Sequence, residues 1–305
     1  MEYKKIIVTG GSGMVGKSLK KIIPEAIYLS SKQCDLTEQK SVEAMLNYYK
    51  PDAIIHLAAK VGGIIDNINK PAEYFTDNVL MNTLLMDYAY KTGVKRFIGI
   101  LSTCIYPDIF ESYPMYEENL HSGPPTKTNF SYGYAKRSLA VQSDAYNTQY
   151  GTNYQYLIPC NLYGEFDKYG DNSHFIAALI KKIHLAKKNN DDKIILFGTG
   201  APLRQFMHSD DLAFIIKHCL DNDIYENMNV ATEDNFSIKE MAEIAIEACG
   251  ATNLSIEFDP NYPDGQYRKD VSISRLKKCI PSFYPVSLQQ GITQTYDYLI
   301  KNNLI

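Results

Sequence analysis

Short apolar runs alternate with amphipathic stretches through the first half of this chain. The runs at 6–9, 26–29, 53–58, 97–101 and 154–158 are mostly apolar and predict buried strands. Between them, 14–23, 38–50, 71–91 and 132–150 carry helical spacing. Pro71 suits a helix's first turn and Gly93 its C-terminal end. Regular strand–helix alternation predicts an α/β fold, a Rossmann-type doubly wound parallel sheet.

After Pro159 the pattern loosens. Helices are expected at 173–188, 209–219, from a Ser237 cap to Gly250, and at 288–300. Strands are expected at 193–197 and 228–231. The reading is a nucleotide-binding domain at 1–160 and a smaller C-terminal α/β substrate lobe at 161–305. The chain is expected to return to the first domain around 208–232.

Gly10, Gly13 and Gly16 follow the first strand at three-residue spacing, where the first helix opens. Free N–H groups at a helix N-terminus suit a pyrophosphate, so Gly10, Ser12, Gly13, Met14, Val15 and Gly16 form the expected cofactor turn. The strand–turn–helix context, more than the glycines alone, carries this reading. After the second strand, Tyr28-Leu-Ser-Ser-Lys32 offers hydroxyls and one cation, with no carboxylate before Asp35. An acid at that point would repel a 2′-phosphate, so its absence favours NADPH.

Tyr132 and Lys136 are four residues apart on a predicted helix and share one face. A neighbouring ammonium is expected to lower the Tyr132 pKa and make it a proton donor and acceptor near neutral pH. With Ser102 at the end of the fourth strand, the three describe hydride-transfer chemistry. Cys104 follows Ser102 by two residues, so a continuing strand would point both side chains the same way. A thiol there works as acid or base if its surroundings tune it.

Composition narrows the partners. The 305 residues are 45% hydrophobic with net charge −4, which gives no electrostatic case for nucleic acid or an anionic membrane. The six cysteines form no C-x-x-C pair and the histidines show no metal spacing, so no metal is expected. Scattered cysteines without a secretory signal lead to an expectation of reduced thiols in the cytoplasm. No stretch approaches transmembrane length.

The chain resembles the extended short-chain dehydrogenases/reductases, and within them the GDP-L-fucose synthase group of GDP-4-keto-6-deoxy-mannose epimerase/reductases. The resemblance covers essentially the full length. It rests on Thr9-Gly-Gly-Ser-Gly-Met-Val-Gly16, His56-Leu-Ala-Ala-Lys-Val-Gly-Gly-Ile64, Ser102-Thr-Cys-Ile-Tyr-Pro107 and Tyr132-Gly-Tyr-Ala-Lys136. Asn161-Leu-Tyr-Gly164, Asn172-Ser-His174, Gly198-Thr-Gly-Ala-Pro-Leu-Arg-Gln-Phe-Met-His208 and Pro263-Asp-Gly265 extend it.

The resemblance implies roles. Ser102, Tyr132 and Lys136 match the family's catalytic triad, with Tyr132 delivering a proton to the sugar O4 and Lys136 binding the nicotinamide ribose. Cys104 and His174 match the two residues that act as acid and base in epimerisation at C3 and C5. Asp35 and Leu36 resemble an adenine-contacting pair, and Leu57, Ala58 and Ala59 line the cofactor groove. Asn161, Phe197 and Arg204 match substrate contacts, and Lys269 is a second candidate cation for the nucleotide end. A GDP-linked 4-keto-6-deoxy sugar, NADPH, surface-polysaccharide biosynthesis and a homodimer follow from the same resemblance. Val79, Leu80, Leu84, Leu85 and Met86 on helix 71–91 suit either helix pairing between subunits or a thick core.

The loop 165–171 departs from the family, with Gly164-Glu165 where Gly-Pro is typical and Ala177 where a Pro is typical. That leaves open a C4 reductase of a GDP-4-keto-6-deoxy-heptose without epimerisation. A non-catalytic nucleotide-sensing protein on the same fold would have no need of Ser102, Tyr132 and Lys136 together.

Overall fold

A computed structural model describes residues 3–170, 173–262 and 264–305; Asp171, Asn172 and Pro263, which belong to the loop and two of the motifs above, lie outside the described residues. In chain order the first half runs β1 (Ile6–Thr9), α1 (Met14–Ile22), β2 (Ile27–Leu29), α2 (Gln39–Tyr49), β3 (Ala53–His56), α3 (Ile64–Asn69), α4 (Pro71–Lys91), β4 (Arg96–Ile100), α5 (Phe130–Tyr150) and β5 (Asn153–Pro159). The second half runs β6 (Asn161–Tyr163), α6 (Phe175–Asn189), β7 (Lys193–Phe197), β8 (Leu203–Arg204), β9 (Phe206–His208), α7 (Ser209–Asp221), β10 (Met228–Val230), β11 (Phe236–Ser237), α8 (Ile238–Ala248), β12 (Ser255–Asp259), α9 (Ser274–Cys279) and α10 (Leu288–Lys301).

Six strands form one sheet in the order β10-β5-β4-β3-β1-β2, and every pairing is parallel. Residues Ile7, Val8, Ile54, Ile55, Phe97, Ile98, Leu157 and Ile158 are fully buried, which explains the largely apolar runs of the sequence. The chain leaves β1 towards β2 on one side and β3 on the other. That reversal opens a crevice at the carboxyl ends of β1 and β3, the usual place for a nucleotide.

A second core gathers around α6, β7, α8 and α10, with Ile176, Ile180, Ile183, Met241, Ala245 and Ile292 buried. Three small pairings frame it: β6 with β9 and β7 with β12, both parallel, and β8 with β11, antiparallel. β6 and β9 have three residues each, too short to read from period alone. β10 joins the large sheet beside β5, and α7 packs on α1 through a Ser18–Ser209 hydroxyl contact of 2.9 Å.

The strand that was expected to continue through Cys104 stops at Ile100. Ser102 instead caps a tight 3-10 turn over Thr103–Ile105, its Oγ accepting from Cys104 N at 3.3 Å. Arg137 of α5, itself buried, clamps this turn by donating to the carbonyls of Ile105 and Gly123. Gly133 lets α5 come close: a Cβ there would sit 2.7 Å from Pro125 Cβ and 3.1 Å from Cys104 O. Among the described residues no helix is long and apolar enough to cross a membrane.

Candidate active site

The turn after β1 is shaped to receive an anion. Gly10 adopts φ +71°, and a Cβ on it would lie 2.7 Å from Ala58 N, so the turn and the end of β3 touch backbone to backbone. Gly13 N donates to Gly10 O at 2.9 Å and Lys17 N to Gly13 O at 3.0 Å. The amides of Met14, Val15 and Gly16 lie in the first turn of α1, with no side-chain cap and no acidic residue there. Leu57 and Ala58 are half-buried at the end of β3. Beyond β2, Asp35 turns its carboxylate onto Thr37 N and Oγ1, at 2.9 and 2.7 Å, which holds its pKa low. It therefore caps a local turn, while Ser30, Ser31 and Lys32 stand at the end of β2.

Lys136 is 2% exposed, and its ammonium has no hydrogen-bond or ion-pair partner among the described residues. Burial lowers its pKa to about 8. An unpaired buried ammonium is costly unless a ligand satisfies it, and it stands on the helix beside the crevice. The free first-turn amides, the glycine contact and this orphan cation together fit a dinucleotide.

Tyr132 differs from its sequence expectation. Lys136 makes no hydrogen bond to it, and its pKa moves up rather than down. Burial is the largest cause, followed by the nearby Cys104 and Tyr74, against a lowering hydrogen bond from Ser102. The packed cluster outweighs the lysine four residues away, so Tyr132 holds its proton as a phenol. Tyr74 braces it edge-on, with ring centroids 6.3 Å apart at 80°, and is anchored by its own hydroxyl on Asp66 Oδ2 at 2.6 Å.

Cys104 shifts the opposite way. Burial pushes the thiol pKa up, but the Lys269 ammonium and hydrogen bonds from Ser102, Asn129 and Lys269 bring it below the ordinary thiol value. Lys269 Nζ lies 3.7 Å from the sulfur. Sequence reasoning assigned Lys269 to the nucleotide end and passed over Asn129, whose position before α5 carried no signal of its own. Arg204 feels the same thiol, but its guanidinium donates to the carbonyls of Leu203 and Gln266 at 2.7 and 2.6 Å and of Tyr267 at 3.3 Å. Asn161 donates to Gln205 O at 2.9 Å.

His174 stands at the N-cap of α6. Its Nδ1 lies 2.9 Å from Asp167 Oδ1, and that contact raises its pKa despite burial. Its side chain is 48% exposed, and no hydrogen bond joins it to Cys104. Glu165, at the family departure, is buried where α1, α7 and α10 meet. It contacts Lys21 Nζ and His208 Nε2, each at 3.4 Å, and accepts from Gln294 at 2.8 Å. Glu165, His208 and Asp210 are close enough to share an ion, but the Lys21 ammonium, 2.9 Å from Asp210, already supplies the positive charge. Phe197 is 62% exposed and stacks on Tyr262 at 3.7 Å between centroids, so it is a surface platform rather than core.

The chain is similar to known proteins over nearly its whole length. Residues 6–231 match the NAD dependent epimerase/dehydratase family. The chain is 38% identical over 312 residues to the GDP-L-fucose synthase of Dictyostelium discoideum, covering 98% of this chain and 96% of that protein. A GDP-L-fucose synthetase from Naegleria fowleri bound to NADP superposes with TM-score 0.88 at 33% identity, over 99% of this chain and 94% of that one. A GDP-6-OMe-4-keto-L-xylo-heptose reductase from C. jejuni reaches TM-score 0.91 over 99% of both chains at 24% identity, a likeness of fold.

Proposed function

The chain belongs to the NAD dependent epimerase/dehydratase family and, within it, to the GDP-L-fucose synthases, and we propose that it converts a GDP-4-keto-6-deoxy-hexose to the reduced sugar after epimerising C3 and C5. The observation that carries this reading is that a thiol and a phenol, Cys104 and Tyr132, both stand near Ser102, whose Oγ accepts from Cys104 N at 3.3 Å and whose hydroxyl works to lower both of their pKa values. Reduction needs the phenol and the serine. An acidified thiol beside them has work to do only if protons leave carbon.

A 4-ketone acidifies the hydrogens on C3 and C5. Cys104 as thiolate takes one, breaking C–H and forming S–H while the electron pair moves onto the carbonyl oxygen. His174, held towards its protonated form by Asp167, returns a proton from the other face. Environments that push two titratable groups towards base and acid mark their roles. NADPH supplies the hydride for C4 when bound. Gly10, Ser12 and the amides of Met14 to Gly16 would hold its pyrophosphate, and Lys136 its ribose. Ser102 orients the reacting oxygen, and Tyr132, which keeps its phenolic proton, delivers it to O4. Arg204, Asn161 and Phe197 complete the nucleotide-sugar side of the pocket.

Purified protein with NADPH and GDP-4-keto-6-deoxy-mannose in deuterated water tests this. Deuterium at C3 and C5 of the reduced product is expected. Reduction without deuterium would overturn the epimerase half of the reading.

The same reading carries a cytoplasmic homodimer serving surface-polysaccharide synthesis. All six cysteines are unpaired, which suits a reducing compartment. Leu80 of α4 and Val141 of α5 remain exposed beside each other's helices, which suits pairing with a second copy. Sedimentation equilibrium is expected to give twice the chain mass.

A further inference from the structure

We propose that Lys269 is the positioning residue that holds Cys104 as a thiolate, so that the base of the epimerisation is ready before substrate arrives. This rests on the function proposed above.

The ammonium approaches the sulfur from a rigid strap. Leu203 N donates to Tyr267 O at 2.9 Å, and Arg204 Nη2 to Gln266 O at 2.6 Å. Past Lys269, Met115 N donates to Asp270 O at 3.0 Å, and Ser272 N to Met115 O at 2.8 Å. Buried Gln205 accepts from Val271 N at 2.9 Å and donates back to Val271 O at 3.1 Å. Backbone is therefore pinned on both sides of Lys269, which limits where the side chain reaches.

No carboxylate competes for it. The neighbouring Asp270 is taken by Arg268, Nε to Oδ1 at 2.5 Å, and no ion pair involves Lys269 among the described residues. A half-buried ammonium with a sulfur as its only close polar partner favours the anionic sulfur. Ser102 and Asn129 act in the same direction, each lowering the thiol pKa. Arg204 is engaged with carbonyls, so it contributes charge at longer range.

Of the other titratable groups near the pair, Tyr132 and Cys160 keep their protons near neutral pH, while burial brings Lys136 down to about 8. Tyr132, on α5, is pushed upwards by burial. Cys160, between β5 and β6, also feels Lys269 but is pushed up to about 12 by burial. Alkylation is therefore read at the Cys104 peptide itself, which separates the thiol's titration from that of Lys136.

The pH-dependence of iodoacetamide alkylation, read at the Cys104 peptide by mass spectrometry, tests the assignment without any substrate. In the wild type the midpoint is expected below that of a free thiol. Lys269→Met is expected to move it up by about one pH unit, roughly tenfold slower alkylation at pH 7, and Lys269→Arg to restore most of the rate. An unchanged midpoint in Lys269→Met, with NADPH binding intact, would overturn the proposal. If Lys269→Met does not fold, Lys269→Gln and Lys269→Arg give the same contrast between a neutral and a charged side chain. A shifted midpoint in a protein that leaves GDP-4-keto-6-deoxy-mannose untouched would reject the substrate reading and keep the thiolate. A flat midpoint in a protein that does incorporate deuterium would do the reverse.

Discussion

His56 Nε2 lies 3.0 Å from Asn82 Oδ1, and the pair ties β3 to α4 in the interior. The ring's other nitrogen is 2.8 Å from Thr9 Oγ1, and Asn82 Nδ2 donates to Ala135 O at 3.1 Å. One chain of hydrogen bonds thus joins the residue before Gly10 to the residue before Lys136. It fixes the glycine turn and α5 relative to each other, so the two halves of the candidate cofactor site keep one spacing.

His56 carries a pH signature. Burial, then the Lys136 charge, lowers its pKa to about 3. For a base depressed in the folded state, the unfolded chain takes the proton first. Stability is therefore full above pH 6.5 and falls as pH drops towards 3, by roughly 1.4 kcal/mol per pH unit. Between pH 7 and pH 5 the wild type is expected to lose about 2 kcal/mol more than His56→Gln in urea unfolding. Equal losses would show that His56 is not neutral and buried in the folded state.

Tyr132→Phe is expected to separate the two half-reactions. It removes the O4 proton donor, so NADPH oxidation should fall at least about 100-fold. Ser102, Cys104 and His174 are untouched, so deuterium should still wash into C3 and C5 of the keto sugar. Full NADPH-dependent reduction in this variant would rule Tyr132 out as the acid.

Asp167→Asn addresses His174. The carboxylate raises the His174 pKa, so its loss should bring the imidazole titration down towards the ordinary value. With less imidazolium at pH 7, deuterium incorporation should slow and its alkaline limb move to lower pH. NMR titration of the His174 ring reads the first effect, and the rate profile reads the second.

Gly10→Ala tests the cradle. Its φ of +71° and the 2.7 Å approach to Ala58 N leave no room for a methyl group. Left-handed backbone and overpacking together should cost at least about 2 kcal/mol. NADPH affinity, read by fluorescence titration, should fall with it. Retained affinity and melting temperature would mean that the turn relaxes without consequence.

Much of this molecule was readable along the chain. β1, β3, β4 and β5 fall within one or two residues of their apolar runs, because strands buried on both faces are predominantly apolar. The glycine turn and the four-residue spacing of Tyr132 and Lys136 are local geometry and needed no folding to see. The short pairs β6–β9 and β8–β11 were not readable, since each exists only through a partner more than 30 residues away. The Ser102–Cys104 pairing was anticipated for the wrong reason: a tight turn clamped by Arg137 brings the two together, not strand alternation.

The sequence by itself determined the main strands of the sheet, the glycine turn and which residue types are candidates for the reaction, because period and spacing are properties of the chain. Tertiary structure alone decided their protonation. Lys269 meets Cys104 across 165 positions, and Tyr132 is pushed up where its neighbouring lysine was expected to pull it down. Desolvation and the placing of a single charge set those directions, and neither exists until the chain has packed.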